Sequence, residues 1–173
     1  MNRVVVDTNV FVSGTAIANT PPSQVLNLWR NGLFVLVTSP QLMAEVQDVF
    51  TRPEIMAFTG LSVGETQALL QEIKRRSYVT KGEYHIEPLA SNPADTVVLE
   101  AAVEGQATHI VTGDKKHLLP LKEIQGIAIL PPQDYVTVQI VKTGITPQLA
   151  TSDRLREART EPLHPAGRLH MRR

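Results

Sequence analysis

The sequence predicts an α/β protein in three layers, with a central parallel sheet flanked by helices. Short apolar runs without polar alternation, such as Val4-Val5-Val6 and residues 33–38 (LFVLVT), read as strands buried on both faces. Between such runs lie stretches bounded by helix start and stop signals. Strands that alternate with helices in this way imply a parallel sheet with right-handed crossovers.

The first strand ends at Asp7. Pro21-Pro22-Ser23 opens a helix that Gly32 stops, and residues 33–38 form the second strand. Ser39-Pro40 is a cap followed by a proline at the first helical position, and this helix is expected to reach Phe50, before Arg52-Pro53. Ser62 and Glu65 have the capping-box spacing for a helix ending near Arg76, where Lys74-Arg75-Arg76 suit the negative end of the dipole. Asn92-Pro93 opens a helix that passes through Asp95 to about Gly105. Residues 108–112 (THIVT) are a third strand, closing on Gly113-Asp114, and residues 126–130 (GIAIL) a fourth. A short helix follows Pro131-Pro132.

The chain has 173 residues, 42% hydrophobic and 20% charged, enough for one domain with its own core. Seventeen basic residues balance seventeen acidic ones, but not evenly along the chain. From Lys142 onward there are seven basic residues against three acidic, which leaves ten basic and fourteen acidic in residues 1–141. Residues 1–141 are therefore read as the folded domain and residues 142–173, where periodicity fades, as a basic C-terminal tail. With no cysteine there are no disulfides, thiolate metal sites or cysteine nucleophile. The apolar start is too short for a secretory signal, and no run approaches the roughly 18 residues of a membrane span. A cytoplasmic protein without membrane partners is expected.

Ligands of open α/β sheets bind beyond the carboxyl ends of the strands. Asp7 and Asp114 follow two strands there, Asp95 lies in the first turn of its helix, and Glu45 falls at the margin of the Leu42, Val46, Val49 and Phe50 stripe. Taken singly, each has a plainer reading: a turn at Asp7-Thr8-Asn9, a helix N-terminal acid at Asp95, a surface charge at Glu45, a loop at Asp114. Taken together, four converging carboxylates repel one another unless a cation neutralises them. Mg²⁺ suits such an oxygen-rich site and can activate water, as in phosphodiester hydrolysis, although composition alone leaves the reaction open. Asn9 and Thr112 are candidate supporting residues, and Lys115 and Lys116 candidate phosphate contacts. The five histidines show no metal-ligand spacing, and His109 reads as a core histidine within a strand. Trp29 reads as core or dimer surface.

Asp7-Thr8-Asn9-Val10 after a hydrophobic strand resembles the opening motif of PIN-domain nucleases. Residues 39–46 (SPQLMAEV), followed by Thr51-Arg52-Pro53, are similar to the second segment of the branch that contains toxin components of toxin–antitoxin systems. Residues 92–95 (NPAD) with Leu99-Glu100-Ala101 resemble the third segment, residues 111–115 (VTGDK) the fourth, and residues 129–132 (ILPP) the closing strand. The resemblance covers roughly residues 3–135 and keeps all four acids in order. It implies a PIN fold, an Mg²⁺- or Mn²⁺-dependent endoribonuclease acting on RNA, and Asp7, Glu45, Asp95 and Asp114 as metal and catalytic residues. It further implies a homodimer and a cognate antitoxin. The chain departs from the family pattern at Asn92 and Val97, where further acids and a lysine are usual, which implies a weakened second metal position. A catalytically weak PIN-like module that binds RNA or protein is the alternative. A phosphatase of the haloacid-dehalogenase type fits poorly, because Asn9 stands where its second aspartate is needed.

Overall fold

The computed structural model describes residues 1–87 and 93–145. In chain order the elements are β1 (Arg3–Val6), α1 (Thr8–Ala16), α2 (Pro21–Arg30), β2 (Val35–Thr38), α3 (Pro40–Phe50), α4 (Pro53–Thr59), α5 (Val63–Arg76) and β3 (Ser77–Val79). They continue with α6 (Pro93–Glu104), β4 (His109–Val111), β5 (Glu123–Ile124), β6 (Ile127–Leu130) and α7 (Pro132–Thr143), with a short 3₁₀ turn at Leu119–Leu121. The sheet has six strands in the order β3-β2-β1-β4-β6-β5. Every pairing is parallel except that of β5 with β6.

The lack of alternation in β1 has a direct cause. Val4 and Val6 enter one core, with Leu36, Phe50, Trp29 and Tyr135, while Val5 enters another, with Val37, Ile110, Val98 and Leu99. Both faces of the sheet are therefore covered, as the sequence predicts for a parallel sheet. Burying a valine side chain fully contributes about 1.5–3 kcal/mol, so three in succession anchor the strand that carries Asp7.

The predicted capping devices are formed. Ser39 Oγ accepts the Leu42 N–H, and Ser62 and Glu65 make the reciprocal capping box of α5. Arg76, at the end of α5, pairs with Glu72, donates to the Arg30 carbonyl and lies over the Trp29 ring. Trp29 itself is buried edge-on to Phe11, the core half of the expectation for it. His109 is partly buried against Tyr135, with rings 5.4 Å apart.

The structure adds elements that the pattern does not predict. Four strands are expected and six are found among the described residues, and α1 and α4 occupy stretches to which the pattern assigns no element. The helix after Pro131-Pro132 is not short: α7 has 12 residues and ends at Gly144, whose positive φ of 65° forms the left-handed cap. Lys142 and Thr143, the first residues of the expected tail, are thus the last of α7. Residues 146–173 and Asn92 lie outside the described residues.

Candidate functional site

Parallel strands end together, and the register aligns the carboxyl ends of β1 and β4: Val6 lies opposite Val111, so Asp7 and Thr112 leave the sheet side by side. The Asp7 N–H extends the ladder to the Val111 carbonyl at 2.9 Å. Asp7 occupies the N-cap position of α1 but makes no side-chain cap bond. Its Oδ2 accepts the Thr112 hydroxyl at 2.6 Å and the Asn9 side-chain amide at 2.7 Å. Asn9 Oδ1 in turn accepts the Gly113 N–H at 3.0 Å. The two residues expected to support the site are thus the two that hold Asp7.

Asp95 comes from the opposite face of the sheet, on the first turn of α6. It is 6% exposed, and its Oδ2 has no hydrogen-bond partner among the described residues. A buried carboxylate oxygen left so costs free energy unless a positive group meets it. Asp114 follows β4, and the chain folds back on it. Its Oδ1 accepts the N–H groups of Lys116 at 2.8 Å and His117 at 3.0 Å, and its own N–H donates to Thr112 Oγ1. That turn corrects the expectation that no histidine has metal-ligand spacing. His117 Nδ1 lies 3.1 Å from Asp114 Oδ2 and 3.6 Å from Asp95 Oδ2. Ligand atoms of Asp95, Asp114 and His117 all fall within 4.8 Å of one another. The signal was the three-residue offset from Asp114, which a turn closed on an aspartate folds back toward its own carboxylate.

Glu45 reaches the site from α3. Its Oε1 accepts Thr8 Oγ1 at 3.0 Å, so its place at the margin of the buried stripe turns it inward as expected. Neither Glu45 nor Asp7 is within the tight triad. Lys115 and Lys116 are exposed next to it. Val97, where the resemblance leads one to expect a lysine, packs against the α6 core instead.

The electrostatics follow from this arrangement. Burial pushes the Asp7 carboxyl above its ordinary value; the Thr112 hydroxyl and the Thr8 N–H oppose that, and the charges of Asp95 and Asp114 add to it. Glu45 is raised by burial, against the Thr8 bond, and further by Asp7 and Asp95. Asp95 is raised by burial and by Asp114. Asp114 is the exception: burial raises it, but the backbone N–H groups of His117 and Lys116 and the His117 ring outweigh burial and lower it. All four acids thus belong to one electrostatic cluster, and three of them are harder to ionise than free carboxyls. Oxygen donors, one ring nitrogen and an unpartnered buried oxygen suit a divalent cation.

A family model for the PIN domain matches residues 3–116, a span that holds all four acids. Among solved structures the chain is similar to VapBC2 from Rickettsia felis, crystallised with a DNA fragment from its promoter. That match has 16% sequence identity and a TM-score of 0.49, and it covers 75% of this chain and 98% of the other. No curated protein matches the chain.

Proposed function

The chain belongs to the PIN-domain family, whose members are generally nucleases, and from that premise we propose that it is a metal-dependent endoribonuclease. The observation that carries this reading is the buried Asp95 Oδ2, without a hydrogen-bond partner among the described residues, close to Asp114 within an acidic cluster that includes Asp7 and Glu45. In this reading Asp7, Asp95 and Asp114 hold Mg²⁺ or Mn²⁺, and Glu45 either joins them or orients a water beside them. A divalent ion bound there supplies Lewis acidity: it lowers the pKa of a water and offsets charge on the phosphate.

The chain's own residues do the positioning. Thr112 and Asn9 fix Asp7 Oδ2, so its carboxylate keeps one orientation. The N–H groups of Lys116 and His117 hold Asp114 in its charged form. Thr8 aims Glu45 at Asp7 from the α3 side. Lys115 and Lys116, exposed beside the cluster, meet the phosphates of an RNA strand, as the arginines of residues 142–173 do. No side chain serves as a nucleophile in this scheme.

The test is cleavage of a labelled RNA panel with Mg²⁺, Mn²⁺ or EDTA, beside an Asp7→Asn control. Cleavage that needs the metal and Asp7 supports the reading; equal cleavage by both proteins sinks it. A second reading, a weak or non-cutting module that binds RNA or protein, is favoured by Val97, whose apolar side chain offers no cation near Asp95. Metal-dependent binding of RNA without cleavage would select it. The resemblance of residues 39–46 and 51–53 supports a further proposal, a toxin component that forms a homodimer and is held by an antitoxin. Its check is size-exclusion chromatography, with inhibition of cleavage by a co-expressed antitoxin candidate.

A further inference from the structure

We propose that His117 Nδ1 is itself a ligand of the ion held by Asp95 and Asp114, and that this nitrogen biases the site toward Mn²⁺ over Mg²⁺. The proposal rests on the metal-site reading above and adds to it a ligand and an ion preference.

The geometry is already close to that of a coordination shell. With bonds of about 2.1 Å, adjacent ligands of an octahedral ion lie about 3.0 Å apart and opposite ones about 4.2 Å. The Nδ1 distance of 3.1 Å to Asp114 Oδ2 matches an adjacent pair, and that of 3.6 Å to Asp95 Oδ2 is longer than an adjacent pair and shorter than an opposite one. The independent observation is Asp95 Oδ2, which is buried, faces this ring and has no hydrogen-bond partner among the described residues. Nor is the ring loosely hung. The His117 N–H is bound to Asp114 Oδ1, and the next residue, Leu118, is fully buried in the core under α6.

The donor type then decides the ion. Mg²⁺ takes oxygen and keeps its waters, whereas imidazole favours first-row transition ions, increasingly so beyond Mn²⁺. Three carboxylates alone would accept Mg²⁺ and Mn²⁺ with little distinction; one imidazole in the shell separates them. The competing role for His117 is a hydrogen bond that merely steadies Asp114, and such a role would leave the ion preference where the carboxylates set it.

The experiment is calorimetric titration of the metal-free full chain with Mg²⁺ and with Mn²⁺, for wild type, His117→Asn and His117→Asp. It is joined to electron spin-echo spectroscopy of the Mn²⁺ complex, which reads modulation from a coordinated nitrogen. We expect the wild type to bind Mn²⁺ about tenfold more tightly than Mg²⁺, with nitrogen modulation. In His117→Asn, Mn²⁺ affinity should fall about tenfold and Mg²⁺ affinity less than about threefold, with the modulation lost. His117→Asp should bind Mg²⁺ at least as well as wild type, again without modulation. Should either variant fail to fold, the nitrogen signal of the wild type decides alone. An unchanged preference in His117→Asn, or a wild-type Mn²⁺ complex without nitrogen modulation, overturns the proposal and leaves the metal reading standing. A wild type that binds neither ion overturns both.

Discussion

Thr112 Oγ1 donates to Asp7 Oδ2 at 2.6 Å while accepting the Asp114 N–H at 3.0 Å, so one fully buried hydroxyl ties the two strand-end acids together. The bond runs between the ends of β1 and β4, which the sequence separates by 105 positions. Because the hydroxyl proton is committed to Asp7, the Thr112 oxygen is free to accept from Asp114, and neither bond can be kept if the group is removed.

Thr112→Val is the isosteric test of that link. It leaves Asp7 Oδ2 with only the Asn9 amide and strips the Asp114 N–H of its acceptor. Hydrogen bonds to charged groups contribute about 1.5–3 kcal/mol, so a loss of that order is expected in chemical denaturation at neutral pH. Thr112→Ser, which restores the hydroxyl, should recover most of it. Equal stability of wild type and Thr112→Val would mean that the bond contributes nothing net.

The acids could be read from the sequence because each follows a strong local signal: a buried strand, a helix start marked by proline, a helix stripe. The elements that escaped lack such signals. Residues 8–16 contain Gly14 and β-branched Thr8, Val10, Val12 and Thr15, poor helix formers, and α1 exists because Val10, Phe11 and Val12 are buried against their neighbours. β3 has three residues, of which Tyr78 and Val79 are exposed, and β5 has two; both are edge strands, too short to show a pattern. α4 is different: Pro53 is a start signal and Gly60, with a φ of 69°, a stop, yet the reading assigns no helix there. His117 needed the fold, because its chemistry arises only where the turn at Asp114 meets the first turn of α6.

Gly14 marks where α1 presses on α2. A Cβ there would sit 2.7 Å from the Pro22 carbonyl oxygen and 2.9 Å from Leu26 Cδ1. Alanine gains about 1 kcal/mol of helix propensity, but overpacking against a backbone carbonyl costs about 1–3 kcal/mol. Gly14→Ala should therefore lower the melting temperature. Gly64→Ala, in the first turn of α5 with nothing within 4 Å, should raise it. If both substitutions shift the melting temperature in the same direction, the close approach at Gly14 is not limiting.

Residues 146–173 carry six arginines and three acids, whereas residues 1–141 are net acidic. An acidic body that receives a polyanion gains from a basic arm, and truncation after Ile145 leaves α7 and its Gly144 cap intact. The truncated protein should bind RNA more weakly. On a single strand, the slope of log affinity against log salt should fall by about 0.7 for each phosphate that the arm no longer neutralises. Identical slopes for the two proteins would assign the arm a different role.

The raised carboxyls give the metal-free protein a distinctive response to pH. Asp7 and Asp95 are held above an ordinary 3.8, and Glu45 above 4.5. A carboxyl whose folded pKa is raised stabilises the fold below its unfolded pKa and loses that contribution as pH rises through its folded value. Asp114, Glu65 and Glu104 are lowered and act in the opposite sense: their contributions are present above the ordinary values and vanish as pH falls through the depressed ones. Comparison with Asp95→Asn isolates Asp95, because Asp7, Glu45 and the three lowered acids remain in both proteins. In EDTA, the stability of wild type minus that of Asp95→Asn should decrease as pH rises from 3.8 through the raised range, since only wild type must give up the Asp95 proton from its buried site. Saturating Mn²⁺ should abolish or reverse that decrease, because the bound ion favours the charged carboxylates. Denaturation at a series of pH values, with EDTA and with Mn²⁺, measures both curves. A difference in EDTA that grows as pH rises would mean that Asp95 is stabilised as an anion without any metal, and the electrostatic case for a cation at the site would fail.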